Sequence, residues 1–391
     1  MAVLPLLLAA VACQADGPAQ TAPDHAVYGQ PLSGHIRAAQ EVTAESGSAR
    51  FTYTLTYETT KGPGKEVVTG AQDYAERTAD ATRTLTLPRG LSEETERTLG
   101  SWPGGEPQMF EVTGSDVAYR MRSGDWLRYS ASGSQEFAQH ASAVLYRAGD
   151  NVPFGGTPED VLTVVARPAK GPAVDEDGRR TYSVMAKGLL MQPTLPGSMD
   201  MLLTAGVPDL PMTVTLDADG LLTEATADYA PLLADLHRKG HLKEVTAMKG
   251  VHRLTEHGRA EPRRSSKGAV DAEKALTDLH RVRPGACASD DTGLGHVRLV
   301  RVVACSARHD LQVYAHVNVA LASSSKAPTE EDAYRDADRQ CRREFDSAPS
   351  AWVARARPAG TFLIAGDTAV SSTIGGDDHA TGAFVCYVTT S

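Results

Sequence analysis

The sequence predicts an α+β protein with two folded parts, and three observations carry this prediction. Between residues 51 and 129, short segments alternate apolar and polar side chains, which is typical of antiparallel strands. Apolar residues spaced three and four apart predict helices at 33–46 and 329–345. Four of the five cysteines lie beyond residue 283, which indicates a smaller, disulfide-bonded C-terminal part.

The chain opens with an apolar run, Ala2–Ala12, which meets Cys13 and then turns polar. This layout predicts an export signal, and its length is about half of the ~20 residues that a bilayer-spanning helix needs. Ala10–Cys13 resembles the lipobox of bacterial lipoproteins, whose cysteine thiol accepts a diacylglyceryl group. The resemblance implies that residues 1–13 are a signal peptide and that a lipid on Cys13 anchors the chain. An ordinary secretory signal is the alternative.

The composition indicates a folded, acidic protein. The length of 391 residues suggests two or three domains, and 41% hydrophobic and 23% charged residues are typical of globular proteins. A net charge of −10 argues against binding to nucleic acid, which needs clustered positive charge. Residues 14–27 are small, polar and proline-bearing, so we expect a tether there.

Residues 28–262 are predicted to form the larger domain. Its first strand places Phe51, Tyr53, Leu55 and Tyr57 on one face and mainly threonine on the other, so one face is dry and one is wet. Further strands are expected at residues 66–74, 82–87, 109–113, 117–121 and 126–129. The sequence therefore predicts a meander of antiparallel strands.

The second half of this domain carries helix and hairpin signals. Thr157–Asp160 is a strong helix start, and a second helical run is expected at Ser198–Leu203. Met212–Leu222 alternates apolar residues into an Asp-Ala-Asp-Gly turn, which predicts a hairpin. Glu244–Glu256 is expected to be the closing strand.

In this order of elements, with a Gly-Asp-Trp-Leu strand at Gly124–Leu127 and the hairpin turn at Leu216–Gly220, residues 28–262 resemble the lipoproteins built on the LolA-like half-barrel, including the LppX/LprAFG lipoproteins. The resemblance implies a half-barrel, in which an open antiparallel sheet wraps round a helix. It also implies an apolar hollow that binds acyl chains. The candidate lining residues are Phe51, Tyr53, Leu55 and Tyr57.

Residues 263–283 are predicted to be a linker with a helical run at Val270–Leu279, followed by a second domain at 284–391. In this domain Leu311–Leu321 alternates strictly, as a strand does. Thr329 begins a capped helix, on which Cys341 faces the core.

The pattern of Gly-x-Cys, Val-x-x-Cys-Ser-x-x-His-Asp, a capped helix with cysteine, Ala-Gly-Asp and a terminal Val-Cys resembles the septum-formation domain family over residues 285–388. In an oxidising compartment, four clustered cysteines are expected to form disulfides. We expect Cys287 to pair with Cys305 and Cys341 with Cys386, one of three possible connectivities.

No catalytic or metal site is predicted, and no cofactor. The sequence has no G-x-S-x-G, P-loop or H-E-x-x-H motif, and its cysteines lack the paired C-x-x-C spacing of zinc sites. His309 could form a catalytic dyad with a free Cys305 thiol, but a disulfide would remove that nucleophile. A structural histidine that caps a turn is therefore favoured, and we expect no enzyme activity.

These observations predict a non-enzymatic envelope lipoprotein that lies outside the cytoplasm, is anchored to the outer face of the membrane and binds or carries an acyl chain. The expected partners are the membrane through Cys13, a lipid ligand, and cell-wall or division proteins. The alternative is a scaffolding protein of wall or septum assembly, whose first domain has a filled core and no ligand cavity.

Overall fold

The computed structural model describes residues 26–100, 107–135, 137–138, 170–188, 207–294, 298–323, 327–371 and 378–390, with Pro168, Leu195 and Met199. Cys13 and most of the predicted tether lie outside the described residues, as do the helices predicted from Thr157 and, apart from Met199, at 198–203. Ala26 and Val27, the last two tether residues, already form a 3-10 helix, and Val27 is buried in the apolar core. These two residues therefore belong to the fold.

The chain is a mixed α+β protein, mostly sheet with a few helices. The strands of the larger sheet are β1 (Ser48–Thr59), β2 (Gly62–Asp73), β3 (Thr78–Thr86), β4 (Gln108–Thr113), β5 (Asp116–Arg120), β6 (Trp126–Tyr129), β7 (Ala173–Val174), β8 (Arg180–Ala186), β9 (Leu210–Leu216), β10 (Leu222–Asp228), β11 (Val245–Thr255) and β12 (Val270–Asp271). The helices among them are α1 (His35–Glu45), α2 (Glu93–Leu99), α3 (Ala230–Arg238) and α4 (Ala272–Ala275).

Across the described residues the larger sheet has twelve strands in the order β12-β6-β5-β4-β3-β2-β1-β11-β10-β9-β8-β7. Two antiparallel meanders meet where β1 pairs with β11, and among the described strands of this sheet only β12 pairs in parallel, with β6. The sheet is open, with β12 and β7 at its edges, and does not close into a barrel in this part of the chain.

Strand alternation gives the larger sheet two different faces. We call the face that carries Phe51, Tyr53, Leu55 and Tyr57 the inner face, and the opposite face, which carries the threonines of β1, the outer face. Inner-face side chains form one apolar cluster with α1 and α3. Full burial of one such large side chain stabilises the fold by about 1.5–3 kcal/mol, so this cluster is the main source of stability.

Helix α2 was not predicted. Its signal is Ser92, which precedes three acids and whose hydroxyl oxygen accepts the Thr95 N–H at 3.3 Å, as an N-cap does. The strands predicted between residues 51 and 129 are all present, as are α1, the β9–β10 hairpin and β11. Strong alternation is therefore a reliable guide in this chain, whereas a short helix is easily missed.

The predicted linker lies against the larger sheet. The backbone N–H groups and the Ser265 hydroxyl of residues 265–266 donate to the Glu111 carboxylate on the outer face at 2.5–2.9 Å. The helix predicted at 270–279 is wrong in extent, because α4 has four residues. Val270 and Asp271 pair with β6 instead, and Leu276 is extended.

The smaller sheet contains the described strands β13 (Thr277–Asp278), β14 (Cys287–Ser289), β15 (Leu299–Val303), β16 (Leu311–Ser323), β17 (Leu363–Ser371) and β18 (Asp378–Thr389), in the order β13-β15-β14-β16-β18-β17. Its helices are α5 (Glu330–Ser347) and α6 (Ser350–Val353). The capping box predicted at Thr329 is present, with Asp332 as its partner, and Ala333, Ala337 and Cys341 are buried against the sheet.

Two disulfides join distant segments of this smaller sheet. Cys287 on β14 is bonded to Cys305, and Cys341 on α5 is bonded to Cys386 on β18. The second bond fixes the helix to the sheet. Among the described helices, none is both long enough and apolar enough to span a membrane.

Candidate functional site

The four candidate groove residues lie side by side on the inner face of β1. All four are buried, with at most 5% of any of them exposed. Their register partners are Leu254, His252, Gly250 and Met248 on β11 and Gly70, Val68, Glu66 and Gly64 on β2. The structure thus places the predicted lining residues together in the middle of the larger sheet, where their side chains are excluded from water.

Gly250 makes room for two aromatic rings on this face. A Cβ at this position would lie 3.0 Å from the Tyr53 hydroxyl and 3.3 Å from the ring of Tyr229. Burial, and then the neighbouring Tyr229, raise the pKa of Tyr53 well above its ordinary value. The Tyr53 phenol is therefore uncharged at neutral pH, and the face keeps its apolar character around it.

His252 is a second uncharged polar residue on the inner face. Its imidazole stacks on Phe51 with 6.3 Å between the ring centroids, and only 3% of the residue is exposed. Burial lowers the pKa of His252 to about 3. The ring is therefore neutral at physiological pH and does not act as a cation toward a ligand.

A buried ion pair interrupts the apolar surface. Nε and Nη2 of Arg83 on β3 donate to the two carboxylate oxygens of Glu66 on β2 at 2.7 and 2.9 Å. Both side chains are at most 8% exposed. Burial alone would lower the pKa of Arg83, but the Glu66 carboxylate raises it, so the guanidinium stays protonated.

Two further polar side chains flank this ion pair. Tyr57 lies beside Glu66, and burial followed by the Glu66 charge raises the pKa of the Tyr57 phenol. Gln108 on β4 is the register partner of Arg83. The buried Tyr57 hydroxyl interacts with Glu66, and the buried Gln108 amide interacts with Tyr119, although neither contact has full hydrogen-bond geometry. We call Tyr57, Glu66, Arg83 and Gln108 the inner-face polar cluster.

The inner-face polar cluster is neutral as a whole, because one cation is paired with one anion. It contains no cysteine, serine or ionised phenol that could act as a nucleophile. Its surroundings are aliphatic and aromatic, and apolar surface of this kind favours contact with hydrocarbon over contact with water. The arrangement therefore suits contact with an apolar molecule.

A loop of the C-terminal part packs on the inner face near β5 and β6. The Tyr119 hydroxyl donates to Asp291 at 2.5 Å, and the Tyr129 hydroxyl donates to the Thr292 carbonyl oxygen. Leu294 is buried in the same apolar cluster as β1. Residues 289–294, which we call the β14 loop, thus complete one end of the inner face.

An arginine fixes the β14 loop. Nη2 of Arg122 lies 2.8 Å from Asp310 and 3.5 Å from Asp290, and its Nε lies 3.3 Å from Asp291. The backbone N–H of Arg122 also donates to Asp291. These four residues, the Arg122 cluster, bring one positive charge and three carboxyl groups together at the contact between the two sheets.

One carboxyl group of the Arg122 cluster holds a proton near neutral pH. Burial, and then the Asp310 charge, raise the pKa of Asp290 to about 7. Burial would also raise the pKa of Asp310, but the Ser289 hydroxyl and Arg122 hold it below its ordinary value. The proton on Asp290 removes one negative charge and so reduces the repulsion among the three carboxyl groups.

The predicted structural role of His309 agrees with its contacts. Its Nδ1 lies 2.8 Å from the Ala307 carbonyl oxygen, and Cys305 is bonded to Cys287, so that thiol is not available as a nucleophile. In the part of the chain that the structure describes, no group of three or more His, Cys, Asp or Glu side chains is placed to hold a metal ion.

The smaller sheet carries a shallow groove of about 440 Å³. Asn318, Asp367 and Thr381 contribute to its lining from three neighbouring strands, and small residues such as Ala383 lie between them. The groove is open, and both polar and small apolar residues line it. It offers a surface for contact rather than an enclosed site.

Sequence reasoning missed the inner-face polar cluster and the Arg122 cluster. Arg83 does carry a signal, because it occupies an inward position in the alternation of Ala79, Ala81 and Leu85, where a charge needs a buried partner. Nothing in the sequence pairs Arg122 with acids about 170–190 residues away. Such contacts can be predicted only when the order of the strands in the sheet is known.

No protein-family model matches this sequence, and no curated protein matches it. Solved structures do align with the chain. The lipoprotein LppX of Mycobacterium tuberculosis aligns at 13% identity over 60% of this chain and 97% of its own, with a TM-score of 0.31. MucB in complex with MucA(peri) aligns at 9% identity over 90% of this chain and 93% of its own, with a TM-score of 0.27.

An outer membrane lipoprotein-sorting protein domain from Vibrio parahaemolyticus aligns at 11% identity over 58% of this chain and 92% of its own, with a TM-score of 0.21. All three likenesses are distant. The structures that this chain is distantly similar to thus include a lipoprotein, a protein-binding protein and a lipoprotein-sorting domain.

Proposed function

We propose that this chain is a non-enzymatic, extracytoplasmic lipoprotein that holds a lipid acyl chain on the inner face of its larger sheet. A lipid on Cys13 would anchor it to the outer face of the cell membrane, and the sheet would curve as a half-barrel around the bound chain. The observation that carries the proposal is the inner face itself, a continuous apolar surface that extends over the neighbouring strands of the larger sheet.

Two properties of the inner face support binding of an acyl chain. Its side chains are aliphatic and aromatic over many neighbouring strands, which suits a long hydrocarbon. Its titratable residues are neutral or paired, because the pKa of His252 is lowered and Arg83 is bonded to Glu66. A hydrocarbon chain on this surface therefore meets no isolated charge.

The test is to purify the full-length protein from cells, extract it with organic solvent and measure acyl lipid by mass spectrometry. We expect about one lipid per chain, and rebinding of lipid after its removal. Replacement of Leu55 by tryptophan should reduce the lipid content, because Leu55 lies on the inner face. The matched control is Thr54→Trp, which places the same ring on the outer face.

Absence of lipid from the extract, together with failure of the delipidated protein to bind any, would contradict the proposal. Leu55→Trp is informative only when the variant folds, so its circular dichroism spectrum and melting temperature are measured as well. The lipid content of the wild-type extract tests the proposal whether or not the Leu55→Trp variant folds.

A second candidate function is a scaffolding role in cell-wall or septum assembly, through the C-terminal part. One observation favours it: the smaller sheet leaves an open groove between Asn318 and Asp367. Lipid-free protein that still binds a wall or division protein, and loses that binding when the groove-lining Ala383 is replaced by tryptophan, would favour this role.

A further inference from the structure

We infer that four exposed arginines of the C-terminal part form a surface that binds the headgroups of an anionic phospholipid membrane. These residues are Arg283, Arg308, Arg355 and Arg357, and we call them the arginine patch. The inference goes beyond the proposed function, because it concerns a charged surface beside the smaller sheet and not an acyl chain on the inner face.

The arginines come from three segments that contain no acid. Residues 279–289, 292–309 and 347–366 contain seven arginines and no aspartate, glutamate or lysine. The whole chain has 49 acidic residues and a net charge of −10, so these segments differ sharply from the rest of it. The acidic total therefore conceals a local concentration of positive charge, which is the property that an anionic surface attracts.

The fold brings these three segments together at one corner of the smaller sheet. The disulfide between Cys287 and Cys305 joins the first segment to the second. The third segment packs against the first at Gly285, where an added Cβ would lie only 2.6 Å from the ring of Trp352. Arg283 precedes this glycine by two residues, so it lies close to both the disulfide and α6.

The other three arginines are placed by contacts with the same corner. Nη1 of Arg355 lies 3.5 Å from the carbonyl oxygen of Cys305, three residues before Arg308. The backbone N–H of Arg357 donates to the Thr389 carbonyl oxygen at 2.8 Å. Thr389 is the register partner of the first residue of β16, which follows Arg308 by three residues. The arginine patch is therefore one surface and not four scattered charges.

The guanidinium groups of the arginine patch are available to anions. All four residues are exposed, and within the described ranges none of them forms an ion pair with a carboxylate. Arg301 of the second segment differs, because it lies 3.0 Å from Asp125. A guanidinium presents its N–H groups in a planar fork that matches two oxygens of a phosphate. Phosphate headgroups are therefore suitable partners for this patch.

The residues beside the arginines favour a membrane over a soluble polyanion. Ala354, Pro358 and Ala359 are exposed in the third segment. Val302, three residues before Cys305, is 48% exposed. Apolar side chains next to cations gain free energy at the boundary between headgroups and acyl chains, whereas a soluble polyanion offers them no apolar contact.

The predicted tether is long enough for this contact. Residues 14–25 lie between Cys13 and the first described residue, and a chain of this length spans at most about 40 Å. A lipid on Cys13 would therefore hold the folded part beside the membrane and raise the effective concentration of the arginine patch there. This contribution alone rests on the proposed function, since the charges of the patch do not require the anchor.

The experiment measures cosedimentation of the purified full-length protein with lipid vesicles at low and high salt. Every protein carries Cys13→Ser, so that no covalent lipid contributes. The vesicles contain dioleoylphosphatidylcholine alone or mixed with dioleoylphosphatidylglycerol, which has the same acyl chains and an anionic headgroup. The test variant is Arg308→Gln/Arg355→Gln. The matched control, Arg179→Gln/Arg259→Gln, removes two exposed arginines from loops of the larger sheet.

We expect binding to vesicles with phosphatidylglycerol, little binding to phosphatidylcholine alone, and weaker binding at high salt. Arg308→Gln/Arg355→Gln should weaken binding about 20-fold, because each cation at an anionic lipid surface contributes about fivefold. The control should bind as the parent protein does. Arg308→Lys/Arg355→Lys keeps both charges and should bind more tightly than the glutamine pair. Melting temperatures show whether each variant is folded.

Equal binding to both kinds of vesicle, or equal weakening by the test and control variants, would overturn the arginine patch as a membrane contact. Polyglutamate and a DNA duplex are tested as soluble ligands. Binding of either one without binding to phosphatidylglycerol vesicles would overturn the membrane as the partner. Solvent extraction of lipid from the inner face is measured separately, so failure of vesicle binding and failure of the proposed function can be told apart.

Discussion

Gly293 shows how one residue determines the contact between the β14 loop and the inner face. Its φ of +81° lies in the left-handed region, and a Cβ at this position would lie 2.7 Å from the Tyr119 ring. Glycine is therefore required for two separate reasons, the backbone angle and the close approach of an aromatic ring. Gly90 has a similar φ of +83° but no atom within 4 Å of the added Cβ.

We expect Gly293→Ala to lower the free energy of unfolding by about 2–4 kcal/mol, since it adds a clash with Tyr119 to the backbone strain. Gly90→Ala carries only the strain and should lower it by about 1 kcal/mol. Urea unfolding of both variants measures the difference. Equal losses would show that Gly293 does not pack as described.

Asp290 makes the stability of the Arg122 cluster depend on pH. Its folded pKa of about 7 lies above the ordinary aspartate value of 3.8, so the folded protein binds more protons than the unfolded chain between these values. Stability is therefore highest at the acidic end of this interval and falls as the pH rises through it. The lowered pKa of Asp310 acts in the opposite direction, but below pH ~4.

We expect Asp290→Asn to remove this dependence, so that the melting temperature of the variant changes less between pH 5 and pH 8 and exceeds that of the wild type at pH 8. Asp125→Asn is the control, because the hydrogen bond from Arg301 lowers the pKa of Asp125 and its titration lies below this range. Parallel pH profiles for wild type and Asp290→Asn would contradict a shared proton in the cluster.

At the scale of the element, the Glu66–Arg83 ion pair lies buried on the inner-face strands, and removing its two charges from water costs free energy. Removal of one partner leaves the other charge buried and alone, whereas removal of both leaves apolar surface. The pair between Glu224 and Arg253 has a similar distance of 2.7 Å and joins two other strands, but it lies exposed on the outer face. The two pairs differ chiefly in burial.

We expect Glu66→Leu to lower the free energy of unfolding of the lipid-free protein by about 3–5 kcal/mol, and the double variant Glu66→Leu/Arg83→Met to recover most of it. Glu224→Leu should change the value by less than about 1 kcal/mol. Chemical denaturation of the four proteins tests this. A double variant as unstable as Glu66→Leu would mean that Arg83 stabilises the sheet by other contacts.

The elements also show which features of the fold can be predicted from the sequence. The period of two in β1 to β6 and the capping box of α5 are local patterns, and both predicted their elements. The pairing of β12 with β6 and the position of Arg122 depend on residues far apart in the chain, and no local pattern specifies them. The predicted groove residues share a face because of alternation, but their polar neighbours come from strand order.

For the whole molecule, the two disulfides differ in their exposure to solvent. Cys341 and Cys386 are both fully buried, whereas Cys305 is exposed and Cys287 is buried. Thiol–disulfide exchange requires a thiolate to reach a sulfur atom. The bond between Cys287 and Cys305 is therefore open to a reductant in the native state, and the bond in the core of the smaller sheet is not.

We expect dithiothreitol under native conditions to reduce the Cys287–Cys305 bond first, and the Cys341–Cys386 bond only when the protein unfolds. Alkylation followed by peptide mass spectrometry identifies the freed cysteines. Removal of the Cys341–Cys386 bond should lower the free energy of unfolding by about 4 kcal/mol, because this bond closes a loop of 45 residues. Simultaneous reduction of both bonds would contradict the difference in access.

The β14 loop has a consequence for biogenesis. Because residues 289–294 complete one end of the inner face, a nascent chain that stops at residue 262 leaves the Tyr119 and Tyr129 hydroxyls without these partners and exposes the surface that Leu294 covers. The larger sheet is therefore completed only after residues 263–294 have been synthesised. Until then the apolar surface that Leu294 covers in the finished protein stays accessible to solvent.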